Sequence, residues 1–205
     1  MQANTKHRLL NTSEALFAER GFYGVSIAAI AKEMGFSKQA LLHHYPTKEK
    51  LYGAVLRRIS DDFLEQQLEA EQASHDPLER LKTFYLGLAK LSPENVQRMR
   101  LLMRELLDNN GRANSAENWY LKGFLTRIIQ MVKAVEGLSE LSDEHALITA
   151  YQWLGAVNYF LISPPTLSGI FGDAALGQMH RDFNTQLVGL IESGIDAHQR
   201  KRLGL

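Results

Sequence analysis

The stretch from Ser26 to Tyr45, SIAAIAKEMGFSKQALLHHY, constrains this chain more tightly than any other. Ile27, Ile30, Ala31 and Met34 recur at i, i+3, i+4 and i+7, the spacing of one helical face. Ser26 stands at the start of that pattern, where its hydroxyl can accept an orphan backbone N–H of the first turn. Gly35 ends it, because glycine enters the left-handed region at little cost. Ser37 is a second N-cap. The helix it opens carries Ala40, Leu41 and His44 on one side and Lys38, Gln39, Leu42 and His43 on the other. Two short helices joined by a glycine turn make a helix-turn-helix, whose second helix suits the DNA major groove.

The second helix has matching chemistry. Lys38 can reach a guanine edge or a phosphate, and Gln39 can pair bidentately with adenine. Both fall in the first turn, where the free N–H groups of a helix also attract phosphate. The adjacent His43 and His44 point about 100° apart on a helix, a poor arrangement for a shared metal. No HExxH, phosphate-cradling glycine loop or GxSxG elbow is present. Neither catalysis nor a metal or cofactor is expected.

The run from Gly21 to Leu51 resembles the DNA-binding domain of the TetR family of bacterial repressors. The likeness rests on Gly21-Phe22, on Ser26-Ile27 with Ile30-Ala31, and on the turn Gly35-Phe36-Ser37. It continues through His44-Tyr45-Pro46-Thr47-Lys48-Glu49-Lys50-Leu51. The resemblance implies a DNA-contacting set of Ser26, Ser37, Lys38, Gln39, Leu42, His43, His44 and Lys48. The family usually has a backbone-touching aromatic where Leu42 stands here, a role His43 can share. The residue matching Lys48 contacts a phosphate from the start of the next helix. The N-terminal arm and first helix, here Lys6, His7 and Arg8, can add backbone contacts.

Charge is distributed accordingly. The whole chain is balanced, with 23 Lys/Arg and 23 Asp/Glu. Residues 1–58 hold nine Lys/Arg against four Asp/Glu, and the remainder fourteen against nineteen. A basic head on an acidic body is expected when one end meets phosphate. Cysteine is absent, which excludes disulfides and thiolate metal sites and fits a reducing cytoplasm. No apolar run approaches the ~18 residues of a membrane span, and the first residues lack a signal peptide's apolar core.

The chain reads as all-α, with about nine helices: an N-terminal three-helix DNA-binding domain and a C-terminal ligand-binding and dimerisation domain. The head covers 1–50. A long helix over about 48–74 serves as connector, and the effector and dimerisation domain covers 75–205. Asp76-Pro77 with Glu79 marks a helix start by N-cap, N1 proline and capping box. Further helices are expected to Leu91, from Pro93 to Leu107, from Asn114 or Ser115 to Glu136, from Ser142 to Ser163, and from Ala174 to Arg200. A loop through Ser168 to Gly172 separates the last two.

The family resemblance implies a small-molecule pocket between the middle helices. Candidate lining residues are Tyr85, Met99, Met103, Arg104, Trp119, Phe124, Tyr151, Trp153 and Asn158. Aromatics and methionines suit an apolar site, and Asn158 would be a buried amide in need of a partner. The resemblance also implies a homodimer through the last two long helices. Gly189, Ser193 and Ala197, four apart, would let a partner helix approach beside Leu190. The expected partners are a double-stranded operator, a second copy of the chain and a small effector, with no membrane. A helical DNA-binding or protein-interaction module without an effector is the alternative.

Overall fold

Ser26, Ser37, Asp76 and Ser142 each begin a helix by accepting a backbone N–H, from Ala29, Ala40, Leu78 and His145 respectively. The structure is a computed structural model that describes residues 2–108 and 120–203. Among the described residues there are helices and no strands. They are α1 (Gln2–Arg20), α2 (Ile27–Glu33), α3 (Lys38–His44), α4 (Lys48–Ala73) and α5 (Pro77–Leu88). Then come α6 (Pro93–Asp108), α7 (Lys122–Lys133), α8 (Asp143–Ile162), α9 (Pro164–Phe171) and α10 (Asp173–Leu203). None of these is long and apolar enough to cross a membrane.

The all-α expectation holds, with one helix added. Ser168-Gly169 suggests a loop, but Pro164 and Pro165 occupy the first helical positions, where a missing N–H costs nothing. Gly172, at φ +83°, then ends α9. The fifth helix stops at Leu88, short of the expected Leu91. Asn95 Nδ2 donates to the Gly87 and Lys90 carbonyls, satisfying acceptors that a longer helix would use internally. The expected start of the seventh helix near Asn114 and the Asn109-Asn110-Gly111 stop lie outside the described residues. So does Trp119.

The chain divides into two compact units, residues 1–62 with 96–122, and residues 63–95 with 123–205. A cut near Ser74 differs from this, because α6 folds with the head. The Tyr52 hydroxyl donates to Glu105 Oε2 at 2.7 Å, and Gln97 Nε2 donates to Glu14 Oε1 at 3.0 Å. Arg98 pairs with Asp62. These partners are far apart in sequence, so local patterning does not announce them.

In the first unit α1, α2 and α3 pack around Leu9, Phe17, Phe22, Ile30, Leu41, Leu51 and Val55, all buried. The Tyr52 ring meets Phe17 edge-on at 4.9 Å and Phe22 at 5.0 Å. In the second unit α5, α8 and α10 form the packed layer, with α9 against α8 and α10. A chain of rings joins Phe63, Phe124, Phe84, Tyr85 and Trp153 at 5.1, 6.2, 5.5 and 5.5 Å. Phe160 stacks on Phe183 at 3.9 Å, and Lys82 pairs with Glu192 at 2.6 Å.

Candidate nucleic-acid interface and effector site

The turn between α2 and α3 is closed from both sides. Gly35 sits at φ +71°, and its N–H donates to Lys32 O while that of Phe36 donates to Ala31 O. That pair of bonds is the Schellman closure of a helix C-terminus. A side chain at 35 would find open space but a strained backbone. Leu41 anchors α3 into the core at 0% exposure. The opposite face therefore stands in solvent, with Lys38, Gln39, His43 and His44 exposed and Leu42 half-buried. The His43 and His44 rings lie 5.9 Å apart at a steep angle. Among the described residues no three His, Asp or Glu side chains converge as a metal site would require.

Ser26 and Ser37 act first as caps, each hydroxyl accepting at 3.1 Å. Each keeps its O–H proton, which can donate to a phosphate.

Lys48 is more committed than its sequence position implies. Its Nζ donates to Phe22 O at 3.0 Å and Val25 O at 3.2 Å, and it lies 4.2 Å from the Phe22 ring centroid. An ammonium has three donors, so one remains for a phosphate. The side chain thus pins the start of α4 to the turn before α2. Lys48→Met keeps the stem and removes the charge. It is expected to lower head stability by about 1–3 kcal/mol, through two lost charge-assisted bonds. Urea unfolding of the variant against the parent protein checks this. Unchanged stability would leave phosphate contact as its only role.

Sequence reading passed over several groups that shape this face. Arg58 pairs with Glu14, which is 3% exposed, and donates from Nη1 to Asn11 Oδ1 at 2.6 Å. That ties α1 to α4. Lys6, Lys50, Arg57 and Arg58 line an open cleft of about 510 Å³, with Tyr45, Tyr120 and Asp61. The Arg57 guanidinium lies 5.5 Å from the Tyr120 ring centroid. Burial pushes the Tyr45 hydroxyl pKa up, with the Arg58 charge opposing. The local cationic excess was visible as charge counts, but its concave form was not.

The predicted effector residues divide. Tyr85, Phe124 and Trp153 are buried in the second unit and joined through Phe84. The Tyr85 hydroxyl donates to Ala150 O at 3.1 Å, and burial raises its pKa well above the usual tyrosine value. Asn158 Oδ1 is buried without a hydrogen-bond partner. Met99, Met103 and Arg104 belong to the first unit. Arg104 is engaged within that unit: Nε donates to Ala18 O at 3.0 Å and Nη2 to Glu19 O at 2.8 Å. It caps the C-terminus of α1, where a cation suits both the free carbonyls and the helix dipole. Tyr151 stands at the surface. It is 45% exposed and shares an outer face of α8 with Ile148 and Tyr159.

That outer face is apolar. Ile148, Tyr151, Gly155 and Tyr159 follow one another along it, and nothing approaches within 4 Å of a Cβ built at Gly155. On α10, Leu190, Ser193 and Ala197 are exposed and Gly189 is half-buried. A Cβ built at Gly194, beside them, would stand in ordinary van der Waals contact with the Trp153 indole at 3.5 Å.

Comparison with known proteins agrees with this arrangement. Residues 9–55 match the pattern described as bacterial regulatory proteins, tetR family. The HTH-type transcriptional regulator RutR of Escherichia coli (strain K12) is 35% identical over 102 residues, 50% of this chain and 48% of that protein. Over residues 9–55 the chain is similar to the tetR family of bacterial regulatory proteins. The chain is also similar to the HTH-type transcriptional repressor KstR2 of Mycobacterium tuberculosis (strain ATCC 25618 / H37Rv). The two are 30% identical over 87 residues, 42% of this chain and 44% of that protein. The chain thus spans about half the length of the curated relatives it matches. A fold likeness covers more. A putative transcriptional regulator from Saccharomonospora viridis in complex with choline matches 89% of this chain and 95% of its own. The TM-score is 0.64 and the identity 20%.

Proposed function

We propose that the chain is a DNA-binding transcriptional regulator, of repressor type, that acts as a homodimer on a palindromic operator and is released by a small molecule. The reading rests chiefly on α3. It is capped, anchored by Leu41, and bare on the face that carries Lys38 and Gln39. Two copies on a two-fold axis would place two such helices in successive major grooves, ~34–36 Å apart or a multiple of that. Ser26, Ser37, His43, His44 and the third donor of Lys48 then serve the phosphate backbone, which positions without specifying. Lys50 and Arg57 on the cationic cleft add non-specific attraction.

The apolar face of α8 and α10 supplies the dimer contact. The choline carried by a fold neighbour supports a small-molecule effector, and the buried aromatics of the second unit are where this chain would take one. The effector favours a dimer geometry whose two heads no longer match the operator spacing, so ligand and DNA weaken each other's binding. The connector α4 runs into both units and carries that change. No catalytic role enters this reading, and the site of action is the cytoplasm, where the chromosome lies.

Selection of DNA from a random pool by the purified protein, repeated at two salt concentrations, tests the reading. A recovered palindrome whose binding weakens steeply with salt is the expected result. Recovery of no motif, with weak binding at both salts, would favour a protein-interaction module instead.

A further inference from the structure

Gln67 sits on α4 in the second unit at 0% exposure, and neither Oε1 nor Nε2 of its amide has a hydrogen-bond partner. Leaving a buried donor or acceptor unpaired forfeits its hydrogen bonds to water without replacement. This core position therefore carries an unmet donor and an unmet acceptor together. Phe63 lies one turn earlier on the same face, its ring 5.1 Å from Phe124, which in turn lies 6.2 Å from Phe84. One turn further along, Glu71 pairs with Arg127 of α7. Gln67 is thus placed between an aromatic contact and an ion pair on the α4–α7 seam. Ala70, also buried on that face, contributes almost no bulk. The Arg127 Nε is a third buried polar atom without a partner.

We infer that Gln67 is the polar anchor of the effector site, and that the effector is a neutral, flat molecule of carboxamide type: an amide, lactam or imide. The inference rests on the effector reading above and adds the ligand's class. A primary amide offers one acceptor and a donor side by side. Its full complement is a group presenting a donor and an acceptor side by side, as a cis-amide does. The Arg127 charge is already matched by Glu71, so a neutral ligand leaves the charges of that pair balanced, and the unpaired Arg127 Nε–H can donate to its carbonyl oxygen. The Phe63, Phe124 and Phe84 rings on the same side of the unit favour a planar body.

The test uses a panel of size-matched probes: benzamide, 2-pyridone and phthalimide against benzoate, benzylamine and toluene. Binding to the full-length protein is followed by calorimetry and by the shift in thermal midpoint. The amide, lactam or imide probes are expected to bind and to stabilise, and the other three to do neither. Gln67→Met keeps the side-chain length and removes the amide. It is expected to weaken probe binding about tenfold or more, since the bound amide group would then be left unpaired. The free variant should be at least as stable as the parent. Binding unaltered by Gln67→Met, preference for benzoate or benzylamine, or no binding by any probe would overturn the inference; in the last case the amide holds only water. If Gln67→Met does not fold, the class preference of the unmutated protein still decides. DNA selection on the same preparation separates the two readings. Probe binding without an operator removes the regulator, while an operator without probe binding removes only the anchor.

Discussion

Gln39→Ala is expected to lose about 1–3 kcal/mol on the selected operator, roughly 5- to 150-fold in affinity, while binding to unrelated DNA stays unchanged. The side chain is exposed in the first turn of α3 and makes no hydrogen bond among the described residues. Its removal therefore leaves the head's own packing intact, and a change in binding reports on DNA alone. A base-reading amide carries discrimination, so the loss should concentrate on one base-pair position of each half-site. The salt slope should hold, because glutamine displaces no counterion. Titration against the operator, single-position variants of it and random duplex, at several salt concentrations, separates these outcomes. Equal weakening on every duplex would mean that Gln39 contributes to docking rather than to reading. Lys48 offers the contrast. Its loss should weaken all sequences alike, partly through the pinning of α4 to Phe22 and Val25.

The helix-turn-helix was legible because its determinants are local. Ser26, Gly35 and Ser37 act on backbone groups within five residues of themselves, and the structure uses each as its spacing suggests. Arg104, a candidate pocket residue in the sequence, and its neighbour Glu105 are polar groups on α6 that bind far along the chain. Their partners are Ala18, Glu19 and Tyr52, more than fifty residues away. No periodicity encodes such partners. On α8 the difficulty is different. The helix is apolar around most of its girth, so hydropathy cannot distinguish Trp153, at 1% exposure, from Tyr151, two residues earlier. Gln67 escaped for a related reason. A glutamine between Leu64 and Leu68 reads as the polar side of an amphipathic helix, yet it turns into the core beside Phe63 and Ala70. Small residues and prolines near Ser163 suggested a loop, although Pro164 and Pro165 suit the N-terminus of α9.

Tyr159→Glu is expected to convert the proposed dimer to a monomer and to lower operator affinity by two orders of magnitude or more. Tyr159 is 74% exposed, so the subunit's own core does not depend on it, and the variant should fold. Its ring sits on the same face as Ile148 and Tyr151, with the open site of Gly155 between. Across a two-fold axis that face would meet its own copy, and each glutamate would bring an unpaired carboxylate into apolar surroundings. The DNA effect follows from linkage between half-sites. In a dimer, the second head binds at an effective concentration set by the first, commonly worth 10²–10⁴ in affinity. A monomer keeps only the affinity of one head for one half-site. Light scattering gives the oligomeric state, and titration against whole and half operators gives the rest. Half-site affinity should be the same for the variant and the parent protein. A variant that remains dimeric would place the interface elsewhere. One that becomes monomeric yet keeps full operator affinity would show that each head reads DNA alone, and the explanation of effector release through head spacing would fall with it.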